Sequence, residues 1–227
     1  MSVKHPAPAD AKAAPRSAGP GRPKDLGKRA AILDAAKEMF IELGFNGVSM
    51  DGIAARAGVS KLTVYSHFGD KETLFTEAIQ AKCVEMMPDE LFVTDNDGPL
   101  RDQLLGIGHA FFALISSDAA LATQRMMMTP DTDDRIRQMF WLAGPARTEA
   151  ALSDFLAARV TRGELSVPDT LLAARQFFCL IKGEVHLHMM CGLCRAPGKL
   201  DTAAHVVASV DFFLRACQPH PGGQAAS

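Results

Sequence analysis

The sequence predicts an all-α chain of about nine helices, in which an N-terminal three-helix head is joined by a fourth helix to a larger helical body. Three observations lead there. The stretch SMDGIAARAGVSKLTVYSHF, residues 49–68, reads as two short helices meeting at a tight corner, a helix-turn-helix. From residue 99 onward the periodic segments repeat their apolar residues at three- and four-residue spacing, the period of a helix with one buried face. Pro130, Gly144, Pro145 and Gly163 fall between those segments.

Residues 1–25 are rich in Ala, Pro, Gly and Lys or Arg with little to bury, so a disordered basic arm is expected. The first helix spans about 27–43, with Ile32, Ala36, Met39 or Phe40, and Leu43 in one stripe, and Gly44 stops it. Phe45 then plugs the space beside the helix-turn-helix. Ser49 caps the second helix, which buries Ile53, Ala54 and Ala57, and Gly58 suits the left-handed corner that follows. Ser60 caps the third. Val59, Val64 and Phe68 face inward there, leaving Lys61, Leu62, Thr63, Tyr65, Ser66 and His67 on the outer face and flanks. Asp70 caps a long fourth helix that Pro88 ends.

Residues 88–99 hold Asp, Asn, Gly and two prolines, the composition of a joint. Helices follow at 99–116 (Leu104, Ile107, Phe111, Phe112, Ile115), 118–129 and 131–142. After Gly144 and Pro145 the pattern resumes through Leu152, Phe155, Leu156 and Val160 to Gly163. The last two helices, 169–192 and 200–217, are apolar on more than one stripe, and the economical way to bury a second stripe is a symmetric four-helix contact with another copy. The domain organisation expected is an arm at 1–25, a head at 26–86, a regulatory and dimerisation body at 87–218 and a loose tail at 219–227.

Composition restricts the function classes. With 48% hydrophobic and 22% charged residues the chain is ordinary globular material. The net charge is only −2, yet residues 1–82 hold 12 Lys or Arg against 9 Asp or Glu and the remainder 12 against 17, a basic head on an acidic body. No apolar run reaches membrane-spanning length and the N-terminus lacks a secretory apolar stretch, so a cytoplasmic protein with no membrane partner is expected. Five cysteines at irregular positions suit reduced thiols. An enzyme finds no support: P-loop, GxSxG and HExxH are all missing, and no strand precedes GIGHAF in the fifth helix. No cofactor or metal is called for.

Residues 28–86 closely resemble the DNA-binding domain of TetR-like (TetR/AcrR) transcriptional regulators, through three co-linear pieces: AAILDAAKEMFIELGF, VSMDGIAARAGVSKLTVYSHF and GDKETLFTEAI. The body resembles the AefR-like C-terminal class by architecture. The resemblance implies a sequence-specific DNA-binding regulator, most often a ligand-relieved repressor, that binds a pseudo-palindromic operator as a homodimer joined through its last two long helices. It also implies that Ser60, Lys61, Leu62, Thr63, Tyr65 and His67 approach double-stranded DNA and that Lys71 meets a phosphate. The side chains suit those roles, since hydroxyls and ring nitrogens bond to phosphate or base edges and lysine adds charge. Ser49 and the first free N–H groups of its helix offer another phosphate site. Arg22 and Lys24 could reach phosphates or the minor groove from the arm. Leu62 departs from the family habit of Gly and can touch a thymine methyl. Ser66 stands where some relatives carry a second tyrosine.

The same resemblance implies a cavity for a small apolar or amphipathic effector in the body. Lining candidates are Phe111, Phe112, Met126, Met127, Phe140, Trp141, Phe177 and Phe178, an adaptable Met and aromatic set, although each also suits plain core filling. His109, Arg125 or Glu184 could orient a ligand. A thiol- or metal-responsive alternative rests on His188, Cys191 and Cys194, which share about a third of a helix circumference. It offers three ligands where a structural zinc site wants four, and a thiolate is disfavoured at a helix C-terminus. A helical scaffold with no DNA role would leave the exposed face of the third helix without purpose.

Overall fold

Each helix of the head opens on a side chain that satisfies a backbone N–H left free at the helix start. In the computed structural model, which describes residues 25–94, 98–193 and 201–219, Asp25 accepts from Gly27 and Lys28 ahead of α1 (Leu26–Gly47). Ser49 accepts from Gly52 at 3.0 Å ahead of α2 (Met50–Arg56). Ser60 accepts from Thr63 at 3.1 Å ahead of α3 (Lys61–Phe68), and Asp70 from Thr73 at 2.7 Å ahead of α4 (Lys71–Met86). That last bond holds the Asp70 carboxyl below its ordinary pKa.

The head's core follows from the predicted stripes: Ile32, Ala36, Phe40, Ile53, Val64, Phe68, Leu74 and Phe75 are all buried. One stripe residue departs. Leu43 is 51% exposed, because α1 breaks at Gly44 (φ 68°, ψ 172°) and the turned chain sends Phe45 inward in its place. Phe45 sits edge-on to Phe75 with ring centroids 5.2 Å apart. A side chain at Gly44 would be strained by that φ, so the break is written into the sequence.

The joint contains a 3-10 turn, Asp89–Phe92, that the sequence reading did not separate from the loop. Six helices then form the body: α5 (Leu100–Ser116), α6 (Asp118–Met127), α7 (Asp134–Ala143), α8 (Pro145–Thr161), α9 (Thr170–Met190) and α10 (Thr202–Ala216). Among the described residues there is no strand. Leu104, Ile107, Phe111, Phe112 and Ile115 of α5 are buried with Leu152 and Phe155 of α8, Phe177 and Ile181 of α9, and Val210 and Phe213 of α10. Met127 and Ile136, from α6 and α7, belong instead to the head's cluster, so the two cores meet along α4.

Arg159 ties the joint to this body. Only 2% exposed, its guanidinium donates to Gln103 Oε1 at 2.5 Å and to the Thr94 carbonyl at 3.4 Å, pairs with Glu164 at 3.3 Å, and stacks over Phe155. Helix α9 is broken at Gly183 (φ 51°, ψ −166°), a feature periodicity did not reveal. Its second apolar stripe finds no cover among the described residues. Leu172 and Leu187 on α9 and Phe212 on α10 remain exposed. No single helix among the described residues is long and apolar enough to cross a membrane.

Candidate functional site

Burial of Val64 and Phe68 fixes which side of α3 looks outward. Leu62 is 79% exposed and Tyr65 42%, with Lys61 and Ser66 on the same open surface. The small hydroxyls are internally partnered: Ser60 Oγ lies 2.8 Å from Thr63 Oγ1, and Ser66 Oγ donates to the Thr63 carbonyl at 2.9 Å. Lys61 Nζ pairs with Asp51 of α2 at 2.9 Å, a hydrogen bond that raises the lysine's pKa. Its ammonium also lies 6.0 Å from the Tyr65 ring centroid. An exposed pair of this kind is weak and is readily exchanged for a phosphate.

Two of the expected DNA-facing side chains have intramolecular surroundings of their own. His67 is half-buried, its Nδ1 enclosed without a hydrogen-bond partner among the described residues and its ring 6.2 Å from that of Phe68, so it lies on the flank of α3. Lys71 is not a free cation. Its Nζ donates to the Phe45 carbonyl at 3.0 Å and the Val48 carbonyl at 3.1 Å, and sits 4.3 Å over the Phe45 ring. These carbonyls lie between α1's break and α2's cap, so the ammonium clamps the corner that aims the helix-turn-helix. Nothing in the local pattern of α4 signals this. Ser49 is occupied as the α2 cap, and Arg22 and Lys24 lie outside the described residues.

Above the head is a cavity of about 330 Å³, bordered by α1 and α4 on one side and by residues of α5 to α9 on the other. Phe111, Met126, Met127, Phe140, Trp141 and Phe178 line it as the sequence reading expected. The other candidates do not. Phe112 and Phe177 are core residues, Phe177 edge-on to Phe213 with centroids 5.2 Å apart. His109 is exposed on α5. Glu184 points away with 79% side-chain exposure, 3.3 Å from His188. Arg125 donates to the Met189 and Met190 carbonyls at 2.5 and 2.9 Å, capping the C-terminal end of α9.

Sequence reasoning missed the head's share of this wall, Phe40, Phe75, Ile79 and Cys83, having assigned such residues to the core, and it missed the charged rim of Lys37, Lys82, Glu149 and Lys182. Periodicity marks burial; it carries no sign of which buried side chain borders a gap. Burial raises the pKa of the Cys83 thiol. Lys37 Nζ bonds to Asp34 at 2.8 Å, which raises its own pKa, and Lys82 pairs with Glu85 at 3.0 Å.

Residues 102–219 match the model of the AefR-like transcriptional repressor C-terminal domain, and residues 32–78 that of the bacterial regulatory proteins of the tetR family. The chain belongs to the TetR family. A TetR-family regulator from Mesorhizobium loti MAFF303099 superposes with a TM-score of 0.69 at 27% identity, over 85% of this chain and 97% of that one. The flavonoid-responsive regulator FrrA gives 0.67 at 30% identity, over the same 85% and 97%. The HTH-type regulator YdeS of Bacillus subtilis (strain 168) is 30% identical over 39% of this chain; the chain spans 53% of YdeS, about half the length of such a curated relative.

Within this TetR-family frame α2 and α3 are the helix-turn-helix. Among the described residues no three His, Cys, Asp or Glu side chains are grouped to hold a metal. His188 faces Glu184, Cys191 is exposed at the end of α9, and Cys194 lies outside the described residues. The thiol- or metal-responsive alternative therefore gains no support.

Proposed function

We propose that this chain is a cytoplasmic, ligand-relieved repressor that binds a pseudo-palindromic operator as a homodimer. In this reading residues 26–86 are the DNA-binding head and 87–218 the regulatory and dimerisation body. Helix α3 enters the major groove, where Leu62 and Tyr65 meet base edges or thymine methyls. Ser60, Lys61, Thr63, Ser66 and His67 contact phosphates and groove edges beside them, with Arg22 and Lys24 reaching from the arm. The Ser49 end of α2 adds a phosphate contact. Lys71 holds the corner and lends its charge to the same backbone.

The observation that carries this reading is the position of the cavity, with Phe40 and Phe75 from the head on one wall and Phe111 and Phe178 from the body on the other. A ligand there touches both units, so it favours whichever relative placement it fits, and operator affinity changes by the difference in its affinity for the two. That FrrA is described as flavonoid-responsive supports a small-molecule signal. Dimerisation is supported by the uncovered Leu172, Leu187 and Phe212 on the last two helices.

The test is fluorescence anisotropy of the purified protein on DNA from upstream of its own gene, at two salt concentrations, beside a scrambled duplex. Tight, salt-sensitive binding to the native duplex alone is expected. Equal weak binding to both duplexes would remove the proposal that this DNA holds its operator, and no binding at either salt would remove the α3 reading itself.

A further inference from the structure

Among the described residues the cavity's walls carry four charged side chains, and three of them are already neutralised. Lys37 pairs with Asp34 at 2.8 Å and lies 3.7 Å from Glu85, Lys82 pairs with Glu85 at 3.0 Å, and Glu149, the wall's one carboxylate, pairs with Arg175 at 3.0 Å. Lys182 is different. Among the described residues its ammonium has no ion pair; it lies 5.9 Å from the centroid of the Phe111 ring, which with Phe178 (centroids 4.2 Å apart) forms the aromatic floor of the cavity. The ionisable side chain one turn along α9 is His186, buried and held below the ordinary imidazole pKa by that burial and by the charge of Lys182. It supplies no counter-charge.

A half-buried cation facing an apolar chamber without a counter-ion is a recognition element for an acid. Resting on the effector reading above, we infer that the cavity takes an amphipathic monoanion, its apolar part among Phe40, Phe75, Phe111 and Phe178 and its carboxylate or equivalent acid on Lys182. The volume of about 330 Å³ gives room for roughly a dozen to twenty non-hydrogen atoms at interior density. A neutral amphiphile forgoes a charge-assisted hydrogen bond in a poorly solvated site, and a cationic one adds a like charge beside Lys182. Glu149 does not compete for that cation, because Arg175 already satisfies its carboxylate.

The chain supplies its own reporter, since Trp141 is its single tryptophan and lines the cavity. The experiment titrates the full-length protein with decanoate, decanol and decylamine below their micellar concentrations and follows Trp141 emission. Wild type is compared with Lys182→Met and Lys182→Arg. Decanoate is expected to bind tightest, Lys182→Met to weaken it roughly tenfold while leaving decanol within about twofold, and Lys182→Arg to keep the preference. Because decanol is read on the same variant, a misfolded Lys182→Met is recognised by loss of both ligands, and Lys182→Arg then decides. Equal affinity for decanoate and decanol, or tightest binding of decylamine, overturns the anion assignment while the effector cavity stands. No emission change with any of the three overturns both.

Discussion

His205 donates an Nε2–H hydrogen bond to the Ile181 carbonyl at 2.9 Å, at the point where Gly183 breaks α9. The break deprives that carbonyl of its helical partner, and a side chain from α10 takes over. A Cβ on Gly183 would lie 2.5 Å from His205 Cε1. The kink and the imidazole are therefore one device, set between Lys182 at the cavity and the exposed faces of α9 and α10.

Gly183→Ala is expected to destabilise the fold by about 3 kcal/mol, because it places a side chain in a backbone region open almost only to glycine and drives it into His205. Adding His205→Ala should recover the steric part alone. Urea unfolding of the two single variants and the double measures this, and additive losses would show that the two residues do not share one device.

Lys71→Met should lower stability by roughly 2 kcal/mol, since it removes two hydrogen bonds from an ammonium to the Phe45 and Val48 carbonyls. Operator affinity should fall across all sequences alike, the mark of a contact that aims the head rather than reads bases. Denaturant midpoints and anisotropy on several duplexes check it; a stable variant with altered base preference would refute the clamp.

Much of this architecture is legible in the sequence because caps and breakers act locally. Ser49, Ser60 and Asp70 each accept a bond from a backbone N–H three residues on, and Pro88 and Pro145 cannot sit in the interior of a continuous helix. What escapes is decided between elements. Phe111 and Phe112 are neighbours with the same burial, yet only Phe111 borders the cavity, since the difference depends on which helix faces each. Arg125 looks like a ligand-orienting charge until α9 is seen to end beside it. Nothing in the sequence around Lys71 signals that carbonyls more than twenty residues earlier in the chain accept from its ammonium.

His186 makes stability pH-dependent with a definite sign. Burial first, and the charge of Lys182 second, depress its folded pKa, while the Ile115 carbonyl that accepts its hydrogen bond pulls the other way. The unfolded chain then binds the extra proton more readily. The stabilising contribution is whole above the unfolded value of about 6.5 and is lost as pH falls through the window between that value and the lower folded one. His186→Phe should flatten this acid loss, seen as denaturation midpoints between pH 8 and 5. An unchanged slope in the variant would assign the acid sensitivity elsewhere.

Tyr65→Phe removes a hydroxyl from the open face of α3 without touching the core, so operator affinity should drop modestly, by about 1 kcal/mol, at unchanged stability. Leu62→Ala should relax preference at a single base step instead, if the leucine meets a thymine methyl. Competition anisotropy with single-step operator variants separates the two. A uniform loss from Leu62→Ala would mean the side chain is only a spacer.

Phe212 is 55% exposed on α10, an expensive position for an aromatic ring unless another copy covers it. Phe212→Glu places a charge on that face and, on the proposed homodimer, should yield monomer without unfolding the chain, because the inward residues Val210 and Phe213 are untouched. Operator binding then loses the coupling between two heads and should weaken roughly a hundredfold. Sedimentation velocity and anisotropy on the same preparation read both effects. A variant that stays dimeric and binds DNA normally would move the subunit contact off this face of α10, leaving the exposed leucines of α9 as the surface to test next.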